Sequence, residues 1–378
     1  MLVLPRESAL LASCAARWYF DFVKGILMSG KKGLLVIGTQ RSGSNLFRLM
    51  LNQLPDVVAL HPPHILQTFM PLLSQYGPLT VKANFAALVE DVCRFVELNP
   101  ASWENIKLDR ASITANCTRP SLIEIYRCIQ ETAAEVHGKA IWCCKSMANL
   151  AYIPQIEAEG VIKPFYIYLY RDGRDVALSF KKAIVGEKHM FHLARQWSSD
   201  QELCLAHTAR YAPERTLHVR YEELLENPER VMRQICEKIG ARFTPEVLQY
   251  HKSEEAQNIA QAGSMWANVV KPIMTNNSNK FLSEMSAAEL AMFESVAGAT
   301  LTELGYELHS NAGARVTSYS AEQIAAFEKD NAHLKQEFRA KLPPEELAKR
   351  RGQEDLVSEI KSRLGQGGGM RSSQAANG

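Results

Sequence analysis

The sequence predicts an α/β protein built on a doubly wound parallel sheet of about five strands. Three observations carry that expectation. Five short apolar runs recur along the chain, bounded by turn residues. Helical patterns follow the first, fourth and fifth runs, the alternation of a parallel sheet with crossover connections. The first run ends in a glycine-bearing loop that opens a helix, which presents backbone N–H groups to an anion. With 378 residues, 46% apolar and 22% charged, the chain has the size and composition of an ordinary globular protein with one large α/β domain or two small ones.

Residues 1–32, which contain MLVLPRESALLASCAARWYF, read as a helical lead-in. Arg6 and Glu7 interrupt the apolar stretch too early for a secretory signal. The domain proper is expected over 33–312. Its strands are LLVIG (34–38), VVAL (57–60), KAIWCC (139–144), PFYIYLY (164–170) and TLHVR (216–220). Helices are expected at Asn45–Leu54, Asp175–Lys182 and Tyr221–Ile239. Pro164 opens a strand, where its missing N–H is tolerated. Residues 84–137 read as a helical insert between the second and third strands, a place for acceptor selectivity together with the loops near 185–192 and 262–280. From 313 the chain becomes a charged helical tail with a thin apolar stripe (Ile324, Phe327, Leu334, Phe338). Pro343 and Pro344 break it, a second charged helix follows, and GQGGGMRSSQAANG is too poor in apolar residues to fold. The tail is expected to be a solvated appendage, with self-association through its helices as the alternative.

A net charge of +2 argues against a broad nucleic-acid footprint but leaves room for a local basic pocket. Eight cysteines form no CxxC pair and no compact framework, which points to reduced thiols in a reducing compartment. Cys143 and Cys144 are adjacent on a strand and should face opposite sides of the sheet. No apolar run approaches the ~18–20 residues of a membrane span, and a cytoplasmic location is expected.

The loop GTQRSGSN (38–45) keeps the glycine spacing of the nucleotide-triphosphate loop G-x-x-x-x-G-K-[ST] at Gly38 and Gly43. Ser44 and Asn45 stand where its lysine and hydroxyl should be. Arg41 supplies a planar cation and Ser44 and Asn45 polar side chains, a set suited to phosphate or sulfate and poorly suited to a metal-bound triphosphate. A second strand-to-helix junction, YLYRDGRDVALSF (168–180), carries Arg171 and Ser179. With Asp172–Arg174 as the turn and the helix starting near Asp175, both could meet one anion. Two anion sites on neighbouring strand ends imply a ligand with two separated phosphates.

RSGSNLFRLML resembles the 5′-phosphosulfate loop of sulfotransferases, R/K-x-G-T/S-x-x-L, and YRDGRDVALS resembles their 3′-phosphate motif. HVRYEELLENPERVMRQICEKIG, VVKPI (Val269–Ile273) and LTELGYEL (Leu301–Leu308) are similar to later segments of that family. The likeness spans residues 33–308 and is nearest to the bacterial and tyrosylprotein-type group. It implies 3′-phosphoadenylyl sulfate (PAPS) as donor, adenosine 3′,5′-bisphosphate (PAP) as product, and no metal. On this resemblance Arg41 stabilises the bridging oxygen. The amides from Ser42 through Gly43 to Leu46, with the Ser44 and Asn45 side chains, hold the 5′-phosphosulfate. Arg171 and Ser179 hold the 3′-phosphate, Tyr221 and Lys271 touch the donor, and Lys145 lies near the sulfuryl group.

The base that takes the acceptor proton is expected in ALHPPHIL (59–66), at the carboxyl edge of the sheet. Counted from the loop arginine, His61 falls within one residue of the glutamate base of tyrosylprotein sulfotransferases, and its ordinary pKa suits the role. His64 is the alternative. His189 and His192 have ligand-like spacing but no third partner in the pattern, and read as a solvated helix face. Trp197 and Trp266 read as packing residues, with an adenine pocket as the alternative use of one of them. The resemblance leaves the hydroxyl acceptor open among carbohydrate, small molecule and peptide tyrosine. Competing readings are a P-loop kinase or nucleotide hydrolase, and a non-catalytic nucleotide-binding module.

Overall fold

A computed structural model describes residues 31–103, 105–210, 215–310 and 318–375. The five apolar runs form five strands: β1 (Lys32–Ile37), β2 (Val57–Val58), β3 (Ile141–Cys144), β4 (Phe165–Tyr170) and β5 (Thr216–Arg220). They pair in parallel in the order β2-β3-β1-β4-β5. The chain thus leaves β1 for one side of the sheet and returns on the other through β4. The carboxyl ends of β1 and β4 flank the switch point, where open α/β sheets bind ligands.

Side-chain alternation divides the core into two layers. Leu35, Ile37, Cys144 and Tyr168 face one layer, and Leu34, Val36, Cys143 and Ile167 face the other. Cys143 and Cys144 therefore point to opposite faces, as their adjacency predicts. The helix after β1, α1 (Ser44–Asn52), packs Phe47, Leu49 and Met50 into the second layer. The helical insert forms α2 (Lys82–Glu97), α3 (Arg110–Asn116) and α4 (Leu122–Val136), which close the first layer.

The helix after β4, α5 (Gly173–Lys181), begins two residues before the expected start. Asp172 is its N-cap, accepting from Arg174 N at 2.9 Å, so the expected turn 172–174 is a cap followed at once by helix. After the long α6 (Met190–Arg210), the helix expected over 221–239 divides into α7 (Tyr221–Glu226) and α8 (Pro228–Ile239). Pro228 has no N–H to continue α7 and is pre-shaped for the first turn of α8. Then comes α9 (Glu254–Ala262), and α10 (Ala287–Glu303) packs on α6.

The tail differs most from expectation. Its helices α11 (Ala321–Ala340) and α12 (Pro344–Ala375) lie against the domain. Phe327 stacks on His189 with ring centroids 4.8 Å apart and meets Phe191 at 5.1 Å. Phe338 lies under the Lys188 amine. On α12, Leu356 and Ile360 are buried in the layer built by the insert, and Arg94 pairs with Glu359 at 2.9 Å. The charge runs on these helices are one face only; an apolar stripe one residue wide per turn is enough to dock a helix against a waiting groove. The terminal stretch expected to stay unfolded continues α12 to Ala375, extending a docked stem in which each added residue gains a backbone bond. The lead-in read at 1–32 falls almost wholly outside the described residues.

Candidate functional site

The loop after β1 is shaped by two glycines. Gly38 has φ 136°, and a Cβ there would lie 2.2 Å from the Leu169 carbonyl oxygen of β4. Gly43 has φ 83° and caps α1; a Cβ there would lie 2.1 Å from Cε2 of Tyr221. Only glycine fits both the left-handed backbone and the close approach. Between them Arg41 adopts φ 71°, a conformation costly for a side chain with a Cβ, which the loop imposes on the one residue that brings a cation.

The loop and α5 meet at Arg41 and Ser179. Arg41 Nε donates to Ser179 Oγ at 3.1 Å. Arg171, at the end of β4, donates from Nη1 to the Arg41 carbonyl at 3.3 Å and from Nη2 to the Asn277 carbonyl at 2.7 Å. Its guanidinium lies over the Tyr221 ring, 4.7 Å from the centroid, and the Tyr221 hydroxyl accepts from Asn277 at 2.8 Å. Burial and the Arg171 charge lower the pKa of Arg41. Two cations held this close form a site of high positive potential.

The two arginines of YRDGRD have different fates. Arg174 is 1% exposed and locked between Asp172 at 2.7 Å and Glu294 at 2.6 Å, over the Phe281 ring. Among the described residues Arg171's only carboxylate contact is a longer one, 3.4 Å to Asp175, and its Nε makes no hydrogen bond. Arg174 ties α5 to α10; Arg171 serves the pocket.

That pocket measures about 380 Å³. Of the ten residues the sequence assigns to donor binding, eight line it: Arg41, Gly43, Ser44, Asn45, Leu46, Arg171, Ser179 and Tyr221. Ser42 is fully buried beneath it, and the Lys271 side chain is exposed and outside it. The Lys271 carbonyl instead accepts from the Tyr250 hydroxyl at 2.8 Å, which fixes the segment over the pocket. Ser42 Oγ and Asn45 Oδ1 are buried and make no hydrogen bond, so the loop keeps polar capacity for a ligand. With the helix N-terminus, the tight glycine and two arginines, these residues fit a molecule carrying two separated phosphates.

Sequence reasoning missed the opposite wall. Trp266, Met274, Asn277 and Lys280 line the same pocket, from a segment expected to select the acceptor. Asn277 orients both Arg171 and Tyr221. No local pattern marks it, because its partners are 56 and 106 residues away. Trp266 borders the pocket, the alternative allowed for one of the two tryptophans; Trp197, read as packing, is 1% exposed and donates to the Arg171 carbonyl at 3.2 Å. The other loop assigned to acceptor choice, 185–192, is covered by α11: Asn331 Oδ1 accepts from Lys188 N at 2.9 Å and His189 N at 3.0 Å. His189 and His192 are half-buried under the tail, where solvated positions were expected.

His61, His64 and Lys145 lie outside the residues that line the pocket. His61 is 6% exposed, and its ring sits 4.9 Å from that of Trp266, which borders the pocket. Its carbonyl accepts from Trp103 at 2.8 Å and Asn99 at 3.1 Å, so the insert fixes the backbone of the HPPH segment. His64 has φ 59°, and its Nδ1 lies 2.8 Å from Ser146 Oγ, just after Lys145. Lys145 is buried, and its pKa is lowered to about 7, first by burial and then by the Arg48 and Arg41 charges. Arg48 was not singled out from the sequence. It is 0% exposed on α1, bonded to the Ala59 carbonyl and to Glu255 at 2.7 Å, with Nε and Nη2 making no hydrogen bond. Lys145 thus sits in the field of Arg41 and Arg48, with Arg41 reaching from here into the pocket.

Residues 33–245 match the model of the sulfotransferase family, more than half of the chain. The chain belongs to the sulfotransferase family. It is similar to the sulfotransferase domain of the Synechococcus PCC 7002 olefin synthase, at 19% identity and a TM-score of 0.49, over 74% of this chain and 97% of that one. It is also similar to the sulfotransferase domain from the curacin biosynthetic pathway, at 20% identity and a TM-score of 0.48, over 74% of this chain and 100% of that one. Sulfotransferase STF9 from Mycobacterium avium is similar at 14% identity and a TM-score of 0.38, over 78% of this chain and 82% of that one. No curated protein matches the chain. Among the described residues, no helix is long and apolar enough to cross a membrane.

Proposed function

We propose that this protein is a PAPS-dependent sulfotransferase that transfers a sulfuryl group to a hydroxyl acceptor with His61 as the base. The observation that carries the reading is the convergence of Arg41, Arg171 and Ser179 on one 380 Å³ pocket at the switch point of the sheet. Family membership supports the donor. Bound there, the donor supplies an activated sulfuryl group and a stable bisphosphate leaving group.

The chain's own residues have three tasks. The amides of Ser42 to Leu46, with Ser44 and Asn45, hold the 5′ end at the N-terminus of α1. Arg171 and Ser179 hold the 3′-phosphate, with Tyr221 and Asn277 fixing the arginine. Arg41 offsets negative charge on the leaving oxygen, where a preorganised cation acts most strongly. His61 takes the acceptor proton from its place beside Trp266, and Lys145, with its pKa lowered to about 7, adds to the positive field at the reacting end in its protonated form. A cytoplasmic location remains part of the proposal, as does a carbohydrate, small-molecule or peptide-tyrosine acceptor.

The test is PAP release from PAPS across a panel of those acceptors. An accepted substrate should give turnover that falls about 10²–10⁴-fold in His61→Ala, with PAP affinity unchanged. Equal loss in His64→Ala with none in His61→Ala would move the base to His64.

A further inference from the structure

The helical insert holds a chemical group that the donor pocket does not use. Cys117 caps the end of α3 and Cys128 lies on α4, with their sulfurs 3.7 Å apart. Cys128 is 3% exposed as a residue, yet it lines a pocket of about 180 Å³ with Arg127 and Glu131. Cys128 therefore borders a space that can hold a small polar molecule. Arg127 Nη2 stands 3.4 Å from the Cys128 sulfur. The Cys117 thiol, and after it the Arg127 charge, favour the thiolate of Cys128 and lower its pKa. They act against burial and the Glu124 and Glu131 charges, which also pair with Arg127. The same contact and burial raise the pKa of Cys117. A thiolate beside a cation with a second thiol in contact is the arrangement of a reactive and a resolving cysteine.

Glu124 completes a set of three groups that could surround a metal ion. Its carboxylate is already engaged, because Oε1 accepts from Thr118 and Oε2 accepts from Arg127 at 2.7 Å. A guanidinium against the sulfur also opposes a dication. These contacts favour oxidation over metal binding.

We propose that Cys117 and Cys128 form a peroxide-sensitive dithiol that closes into a disulfide and staples α3 to α4. The Cys128 thiolate attacks a peroxide oxygen; the S–O bond forms, the O–O bond breaks, and the departing hydroxide takes a proton to leave as water. The Cys117 sulfur then attacks the Cys128 sulfenic acid. The S–S bond forms, the S–O bond breaks, and the Cys117 proton leaves with the oxygen as a second water. Two thiols lose two electrons and two protons, and one hydrogen peroxide becomes two waters. The other described cysteines are all buried, and none has a sulfur contact of this kind.

The experiment treats the full-length protein with hydrogen peroxide, quenches by alkylation and maps the peptides. The expected result is a Cys117–Cys128 cross-link that forms first, reverses with dithiothreitol and raises the unfolding midpoint by about 5 °C. In Cys117→Ser the cross-link is absent and Cys128 proceeds to sulfinic acid. Should that variant fail to fold, the order of oxidation in the unmutated protein decides alone. Alkylation of both cysteines after peroxide at the rate before it would overturn the proposal. So would zinc bound at this pair in the purified protein, shielding both thiols until a chelator removes it.

Discussion

Gly43 and Tyr221 share one space: a Cβ on the glycine would lie 2.1 Å from the tyrosine ring. The ring in turn supports the Arg171 guanidinium at 4.7 Å. The loop after β1, the end of β4 and the helix after β5 thus meet at one point, where an ordinary residue cannot stand. Gly43→Ala should therefore push Tyr221 aside and weaken PAP binding by more than 100-fold, about 3 kcal/mol. Tyr221→Ala, which removes the obstacle, should restore part of that affinity in the double variant. Titration calorimetry of the four proteins checks both statements.

The two arginines of the second motif should separate function from stability. Arg171→Ala should weaken PAP binding by roughly 10–150-fold, the range of a lost charge-assisted phosphate contact, with a small change in unfolding. Arg174→Ala leaves Asp172 and Glu294 as buried charges without their partner and should destabilise the fold by about 3–5 kcal/mol. Urea unfolding and PAP titration on both variants distinguish them; equal effects in both assays would contradict the division.

Lys145 gives a pH-dependent test. The unfolded chain keeps its proton up to about 10.5, whereas the folded protein releases it near 7. Between those values the unfolded state binds more protons, so this group's contribution to stability rises with pH. Its destabilising effect is fully present below pH 7 and relieved by 10.5. Tyrosines and cysteines of the unfolded chain titrate in the same range, so the useful quantity is the difference between Lys145→Met and the unmutated protein. That difference should favour Met most near pH 7 and shrink by up to about 1.4 kcal/mol per pH unit above it. A difference independent of pH would contradict a depressed lysine.

The docked tail predicts an asymmetry between its two apolar stripes. Ile360 is 0% exposed, so Ile360→Ala should cost about 2–4 kcal/mol. Leu334 is 38% exposed, and Leu334→Ala should cost less than about 1 kcal/mol. Denaturant midpoints of the two variants measure this directly.

These residues also mark how far the sequence could be read. The strands were legible because each is a short apolar run between turn residues, and the glycine loop after β1 because glycine spacing is a local constraint. Arg171 and Arg174 look alike in the motif; Glu294, which claims the second, lies 120 residues away. The docking of α12 was hidden for the same reason. Leu356 and Ile360 recur at helical spacing, but the core they enter is built by distant elements, and Arg363 finds the buried Asp91 across 272 residues. The opposite wall of the pocket includes Asn277, whose role comes from tertiary contact and leaves no local signature.

The central claim is that the pocket binds a nucleotide with separated 3′ and 5′ phosphates. Its most direct test is calorimetric titration of the full chain with PAP, set against ATP with magnesium. The account predicts tight binding of PAP, weakened in Arg171→Ala, and weak or absent binding of ATP. Binding of ATP with magnesium and none of PAP would contradict it and return the P-loop kinase reading.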